Sequence, residues 1–271
     1  MTMRSLTERS DLRLKEDVYA AQARPGRPEL LVNLGYRQIA IVDCRSGSLA
    51  RAIALPAELG DFAIESWLVT PDGAASYLFG RYHDDVVVRV EHDSGATKLL
   101  ARPGSLSLPL GLAWPGDELC FLDAKRSGYS VSAQGFGSVE ARDVRAATKE
   151  MRKRLPNLDE MSVYRMADGG RAAYLLSSEK IGYATLDGRT ALFTPHDDTQ
   201  VNVARLGDSL FVCFEYSIEQ RLEGEEETLA KPGSGEHFLG VESVTDGDRG
   251  HLVVLSGSLA SDYSRLRFFG D

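Results

Sequence analysis

The sequence is poor in the residues that mark secreted, membrane-spanning and nucleotide-handling proteins. Its three cysteines, Cys44, Cys120 and Cys213, are odd in number and far apart, and no CxxC pair offers a metal site. They read as small buried hydrophobes in a reducing compartment rather than as a disulfide framework. No window reaches the roughly 18 apolar residues of a membrane span, and 1–19 carries charges where a signal peptide would be apolar, so a cytoplasmic chain off the membrane is expected. Cations are also scarce. Lys and Arg number 31 against 40 Asp and Glu, and the formal charge of −9 repels nucleic acid and anionic lipid and favours a basic protein as partner. There is no G-x-S-x-G serine elbow and no phosphate-cradling glycine loop. Gly104-Ser105 and Gly233-Ser234-Gly235 fall in loops, and Gly135-Phe136-Gly137 reads as a turn between strands.

What the chain does contain is a repeated rhythm of short β-prone runs. From Ser66 to Ala101 four such runs (67–70, 75–80, 86–91 and 97–101) alternate with Pro71-Asp72-Gly73, Arg81-Tyr82-His83-Asp84 and Asp93-Ser94-Gly95. That is the pattern of a four-stranded antiparallel meander. One meander leaves both faces exposed and needs neighbours of its own kind. The first turn recurs as Pro25-Gly26-Arg27, Pro115-Gly116-Asp117, Ala167-Asp168-Gly169, Leu206-Gly207-Asp208 and Asp246-Gly247-Asp248. The central residues, 26, 72, 116, 168, 207 and 247, are spaced 46, 44, 52, 39 and 40 apart. A four-stranded propeller blade takes roughly 40–50 residues.

The run Leu68-Val69-Thr70-Pro71-Asp72-Gly73, followed by Ala75–Gly80, resembles the PDG-centred repeat of the TolB-type and YVTN-type propellers of the WD40-like superfamily. Rhythm and resemblance together imply an all-β fold: a six-bladed β-propeller of four-stranded antiparallel blades, one domain over 1–271. They imply no function, because that superfamily hosts enzymes, scaffolds and inhibitors alike. The last unit, with strands expected at 240–245, 250–255 and 263–269, is one strand short. The segment 4–14, with Leu6, Leu12 and Leu14 alternating with polar residues, is expected to supply it, closing the ring and removing free sheet edges. The 52-residue spacing marks an insertion at 143–156, where Val144, Ala147, Met151 and Leu155 form one helical stripe ending at Pro156.

Propeller geometry gathers onto one face the loops that join second to third strands and those that join one blade to the next. It places Tyr36, Arg37, Arg81, Tyr82, His83, Asp84, Arg126, His196, Asp197, Tyr216, His237 and Phe238 on a shared rim. The aromatics among them, Tyr36, Tyr82, Tyr216 and Phe238, interleaved with cations, are the side-chain types that dominate interface energetics. The leading expectation is therefore a monomeric, non-catalytic protein-binding module without a cofactor, suited to inhibiting a partner by covering its active site, as immunity proteins do. The acidic run Glu223-Gly224-Glu225-Glu226-Glu227 reads as a hydrated hairpin tip that steers a basic partner. The competing expectation is a lactonase-like hydrolase. In it a divalent ion held by His83, His196, Asp197, Glu65 and Asn202 would polarise an ester carbonyl, as in gluconolactonase-like propellers. Counted back from their turns, Glu65 lies seven residues away and Asn202 five, so they do not form one layer.

Overall fold

The structure is a computed structural model that describes residues 6–81, 85–104, 109–114, 119–123, 127–140, 163–167, 172–176, 181–185, 190–193, 200–222, 225–247, 249–258 and 263–270. Within them the chain forms six four-stranded antiparallel sheets. Sheet I is β2 (Ala21–Ala23), β3 (Glu29–Leu34), β4 (Gln38–Asp43) and β5 (Ser48–Ala54). Sheet II is β6 (Ala63–Val69), β7 (Ala75–Arg81), β8 (Asp85–Glu91) and β9 (Thr97–Leu100). Sheet III is β10 (Pro109–Trp114), β11 (Leu119–Asp123), β12 (Gly128–Ser132) and β13 (Gly135–Val139). Sheet IV is β14 (Val163–Ala167), β15 (Ala172–Leu176), β16 (Ile181–Thr185) and β17 (Thr190–Phe193). Sheet V is β18 (Gln200–Leu206), β19 (Ser209–Phe214), β20 (Ile218–Leu222) and β21 (Glu225–Ala230). Sheet VI is β22 (Glu236–Asp246), β23 (Arg249–Ser258) and β24 (Ser264–Gly270), completed by β1 (Thr7–Leu14). Among the described residues the recurrent turns at 25–27, 71–73 and 206–208 join first to second strands, and at Gly73 and Gly207 the backbone takes φ of 68° and 63°, which glycine adopts without a Cβ penalty.

The chain divides into two compact units. The first, Met1–Ala52 with Pro195–Asp271, holds sheets V and VI and nearly all of sheet I. Sheet VI supplies both of its cores. Leu252 and Val254 of β23 pack with Phe211, Cys213 and Ile218 of sheet V, while Val253 and Leu255 pack with Val32, Ala40 and Val42 of sheet I. Burial on both faces is why 252–255 reads as a continuous apolar run instead of alternating. Each such side chain contributes about 1.5–3 kcal/mol.

Strand β1 pairs antiparallel with β24 from Thr7↔Gly270 to Leu14↔Ser264, with an irregularity at Arg9 between Glu8 and Ser10. One extra residue switches which parity faces which side. Leu6 accordingly enters the core with sheet V and Leu14 the core with sheet I, although both are even-numbered. Outside, Arg265 Nε donates to Asp11 Oδ2 (2.9 Å) and Arg267 Nη2 to Glu8 Oε2 (2.6 Å).

The second unit, Ile53–Thr194, holds sheets II, III and IV. Sheets II and III share a core of Leu68, Tyr77, Phe79, Phe121, Tyr129 and Val131, with the Phe79 and Phe121 rings edge-on at 5.5 Å. Sheet II also buries a polar relay. Trp67 Nε1 donates to Ser76 Oγ (2.7 Å), Ser76 Oγ meets His92 Nε2 (2.7 Å), and His92 Nδ1 meets the Gly73 carbonyl (2.7 Å). One tautomer satisfies every member: His92 donates from Nδ1 and accepts the Ser76 hydroxyl at Nε2.

Several sequence expectations are corrected. Gly135-Phe136-Gly137 lies in β13, paired with β12, because the two-residue turn before it at 133–134 leaves the glycines in register. Of the acidic run, Glu225, Glu226 and Glu227 are strand rather than loop, belonging to β21, where Arg221 pairs with Glu226 in the ladder and as an ion pair at 3.0 Å; 223–224 lie outside the described residues. Cys44 and Cys213 are buried as expected, and burial raises both thiol pKa values well above their usual range, but Cys120 is only half-buried. The expected helix at 143–156 lies outside the described residues. Among the described residues no helix is long and apolar enough to cross a membrane.

Candidate functional site

In an antiparallel meander the turn between second and third strands lies at the opposite end from the turn between first and second. Along the former end of the first unit runs a sequence of hydrogen bonds that joins all three sheets. Phe238 N donates to Glu215 O (2.8 Å), tying the β19–β20 turn to the start of β22. The Tyr263 hydroxyl donates to Glu236 Oε1 (3.0 Å), bringing the β23–β24 turn to the same place. Val18 N donates to Ser264 Oγ (2.9 Å), which adds the connection between β1 and β2. Gly35 N donates to Asp17 O (2.8 Å), fixing the β3–β4 turn onto that connection. Tyr216, His237, Tyr263, Tyr19 and Tyr36 thus share one rim.

Asn33 organises the sheet I end of this rim. It is fully buried within the apolar strand β3, and its amide is saturated. Oδ1 accepts from Tyr19 N (2.8 Å) and Ala20 N (2.7 Å), while Nδ2 donates to Asp17 O (3.1 Å) and Gly35 O (3.0 Å). Four bonds hold 17–20 against the β3–β4 turn and set Tyr19 beside Tyr36, with ring centroids 5.8 Å apart. Tyr36 remains 45% exposed and Tyr216 57%. The Tyr216 hydroxyl bonds the Glu215 carboxylate, which raises the phenol pKa above its ordinary value. Glu236 is buried and engaged, accepting also from Gly233 N (3.1 Å), and Arg13 lies 5.1 Å over the Tyr263 ring. Rigid rings with polar tips, held on a hydrogen-bonded scaffold, suit recognition of a surface. Among the described residues no three His, Cys, Asp or Glu side chains are grouped as a metal site requires.

No protein-family model matches the sequence, and no curated protein matches it. Solved structures do. The structure of U3-55K is similar with a TM-score of 0.61 over 95% of this chain and 98% of its own, at 12% identity. The crystal structure of the RRP9 WD40 repeats is similar with a TM-score of 0.61 over 97% and 99%, at 11% identity. The fold is that of a WD40-like β-propeller. Identity this low carries the propeller architecture across and nothing of activity.

The rim residues expected from the sequence divide on this propeller into four groups. Tyr36, Arg37 and Tyr216 are exposed on the rim of the first unit, Arg37 with an interaction of its own. His237 and Phe238 are corrected, since β22 begins at Glu236 and both lie in the strand instead of a loop. His237 is half-buried, and Phe238 is 1% exposed inside the core with sheet V because the strand turns its ring inward. Arg81 ends β7 in the second unit. Tyr82, His83, Asp84, Arg126, His196 and Asp197 lie outside the described residues.

The alternative metal ligands fare differently from one another. Asn202 commits both polar atoms of its amide to the Val241 backbone, so the propeller uses it as a clamp between inner strands β18 and β22. Glu65 is exposed at an irregularity of β6 in the second unit and has an interaction partner. The residues that sequence reasoning missed are Tyr19, Tyr263, Glu16, Asn33 and Ser264. The available signal was Asn33, an amide in the otherwise apolar and buried run 30–34, where it is kept only when every bond is made.

Proposed function

We propose that this chain is a non-catalytic, cytoplasmic, monomeric protein-binding propeller. In this reading its six four-stranded sheets are six blades of a ring that β1 closes, and it works without a cofactor. The observation that carries the reading is the rim of the first unit. Two exposed tyrosines, Tyr36 and Tyr216, stand on turns whose backbones are stitched through 17–19, 236–238 and 263–264 into one preorganised edge. Little conformational entropy is lost when such rings are covered, so the contact is efficient. Within this class we assign an inhibitor of the immunity type, which would neutralise a basic partner by occluding its active site. The hydrolase reading draws no support from Asn202, whose oxygen already accepts the Val241 N–H.

Affinity capture from native lysate tests the assignment. Wild type should retain one partner stoichiometrically, and Tyr36→Ala/Tyr216→Ala should retain at least about tenfold less, the usual effect of removing interface hot spots. Equal recovery by both proteins, or no stoichiometric partner for either, rules it out.

A further inference from the structure

The Tyr36 turn carries chemistry that an ordinary aromatic ledge does not need. Its neighbour Gly35 sits at φ +54°, and a Cβ added there would stand 3.4 Å from Glu16 Oε2, so a carboxylate lies directly against the backbone beside Tyr36. Asp17 follows Glu16, and its carbonyl is the acceptor for both Gly35 N and Asn33 Nδ2. Both acidic side chains are exposed, and neither carboxylate has a hydrogen-bond or ion-pair partner among the described residues. Arg37, next to Tyr36, is already engaged, and Lys15, next to Glu16, makes no ion pair with it among the described residues. Tyr19 packs beside Tyr36, which as a residue remains 45% exposed. An exposed aromatic ring with the Glu16 carboxylate at its base, and Asp17 next to it in the chain, favours one kind of visitor, a cationic side chain that meets the ring quadrupole and the negative charge together. The net charge of −9 attracts the same visitor at longer range.

We propose that Tyr36, with Tyr19, Glu16 and Asp17, is the seat for an arginine or lysine side chain of a basic protein partner. This rests on the protein-binding reading above and names the chemistry of the contact. Asn33 serves as its positioning residue, since its four bonds hold 17–20 and the Tyr36 turn at fixed separation.

The test uses the full chain and a fluorescein-labelled hexa-arginine peptide, with binding followed by anisotropy at low salt. Wild type should bind it and ignore hexaglutamate. Tyr36→Ala should weaken binding about threefold and Tyr36→Phe should leave it within about twofold, as an exposed cation–π contact requires. Glu16→Gln/Asp17→Asn should weaken it about fivefold. Glu225→Gln/Glu227→Gln, on the exposed strand β21 away from the rim, removes the same charge from a run that only steers the encounter, and should weaken binding less than about half as much as Glu16→Gln/Asp17→Asn. No binding by wild type, or a loss caused by the β21 pair as large as that caused by Glu16→Gln/Asp17→Asn, overturns the assignment. A lysate partner retained equally by wild type and by Glu16→Gln/Asp17→Asn overturns it too, while leaving the protein-binding reading intact.

Discussion

The side-chain amide of Asn202 pairs with both backbone polar groups of Val241, donating from Nδ2 to the carbonyl and accepting the N–H at Oδ1, each at 2.8 Å. It imitates one rung of a β-ladder between the inner strands of sheets V and VI. Replacing it orphans two groups on a fully buried residue. Asn202→Ala should destabilise the chain by about 2 kcal/mol, read as a lower urea midpoint, because an unsatisfied buried polar group keeps its full desolvation penalty. An unchanged midpoint would mean that water replaces the amide.

The relay from Trp67 through Ser76 and His92 to the Gly73 carbonyl runs in one direction, and each member is buried. Ser76→Ala strands a donor on Trp67 and an acceptor on His92 at once. About 1–3 kcal/mol should be lost, with a change in tryptophan emission as the indole N–H loses its partner. Ser76→Thr should retain most of the stability if the added methyl is accommodated.

Strand β1 is held from outside by Arg267–Glu8 and Arg265–Asp11 pairs that are partly exposed. Such pairs are worth about 0.2–1 kcal/mol each and weaken with salt. Arg267→Glu should speed amide exchange across 7–14, and adding Glu8→Arg should restore protection. Half a molar salt should shift wild type towards the single variant. Exchange at 29–34, inside sheet I, should not respond to either change.

His251 supplies a pH dependence whose sign follows from its surroundings. It is buried, its Nε2 has no hydrogen-bond partner among the described residues, and it is surrounded by Arg9, Arg45, Asp246 and Asp43. Burial first, then the nearby Arg9, holds its pKa below the ordinary value of about 6.5. The unfolded chain therefore binds a proton that the folded chain resists, so this contribution to stability is complete above about pH 6.5 and is lost as pH falls from there towards the depressed value. Between pH 7.5 and 5.5, above the carboxylate range, the urea midpoint should drop, and His251→Asn should flatten that drop. A steeper fall in the variant would reverse the assignment.

The repeat was legible because turn chemistry recurs at first-to-second-strand turns and because strands between packed sheets are apolar on both faces; Val253 and Val254 serve different cores yet look alike in the sequence. The completing strand could be read from Leu6, Leu12 and Leu14, but the irregularity at Arg9 that sends Leu6 and Leu14 to opposite faces could not, because parity in a strand is set by its partner's register. Phe238 was misplaced for a related reason. Its neighbourhood looked like a loop, while pairing with Ser256 extends β22 backward and turns the ring into the core. Tyr36 and Tyr216 were found from turn position alone. Tyr19 and Tyr263 were not, since their places depend on hydrogen bonds between segments distant in sequence, such as Val18 to Ser264.

The central claim is that the end of the first unit bearing Tyr36 and Tyr216 binds a protein. Hydrogen–deuterium exchange on the complex with the captured partner tests it most directly. Protection should appear at 15–19, 34–37, 215–217 and 263–264 and be absent from the opposite turns at 43–47 and 206–209. Protection confined to those opposite turns, or none at either end, contradicts the account.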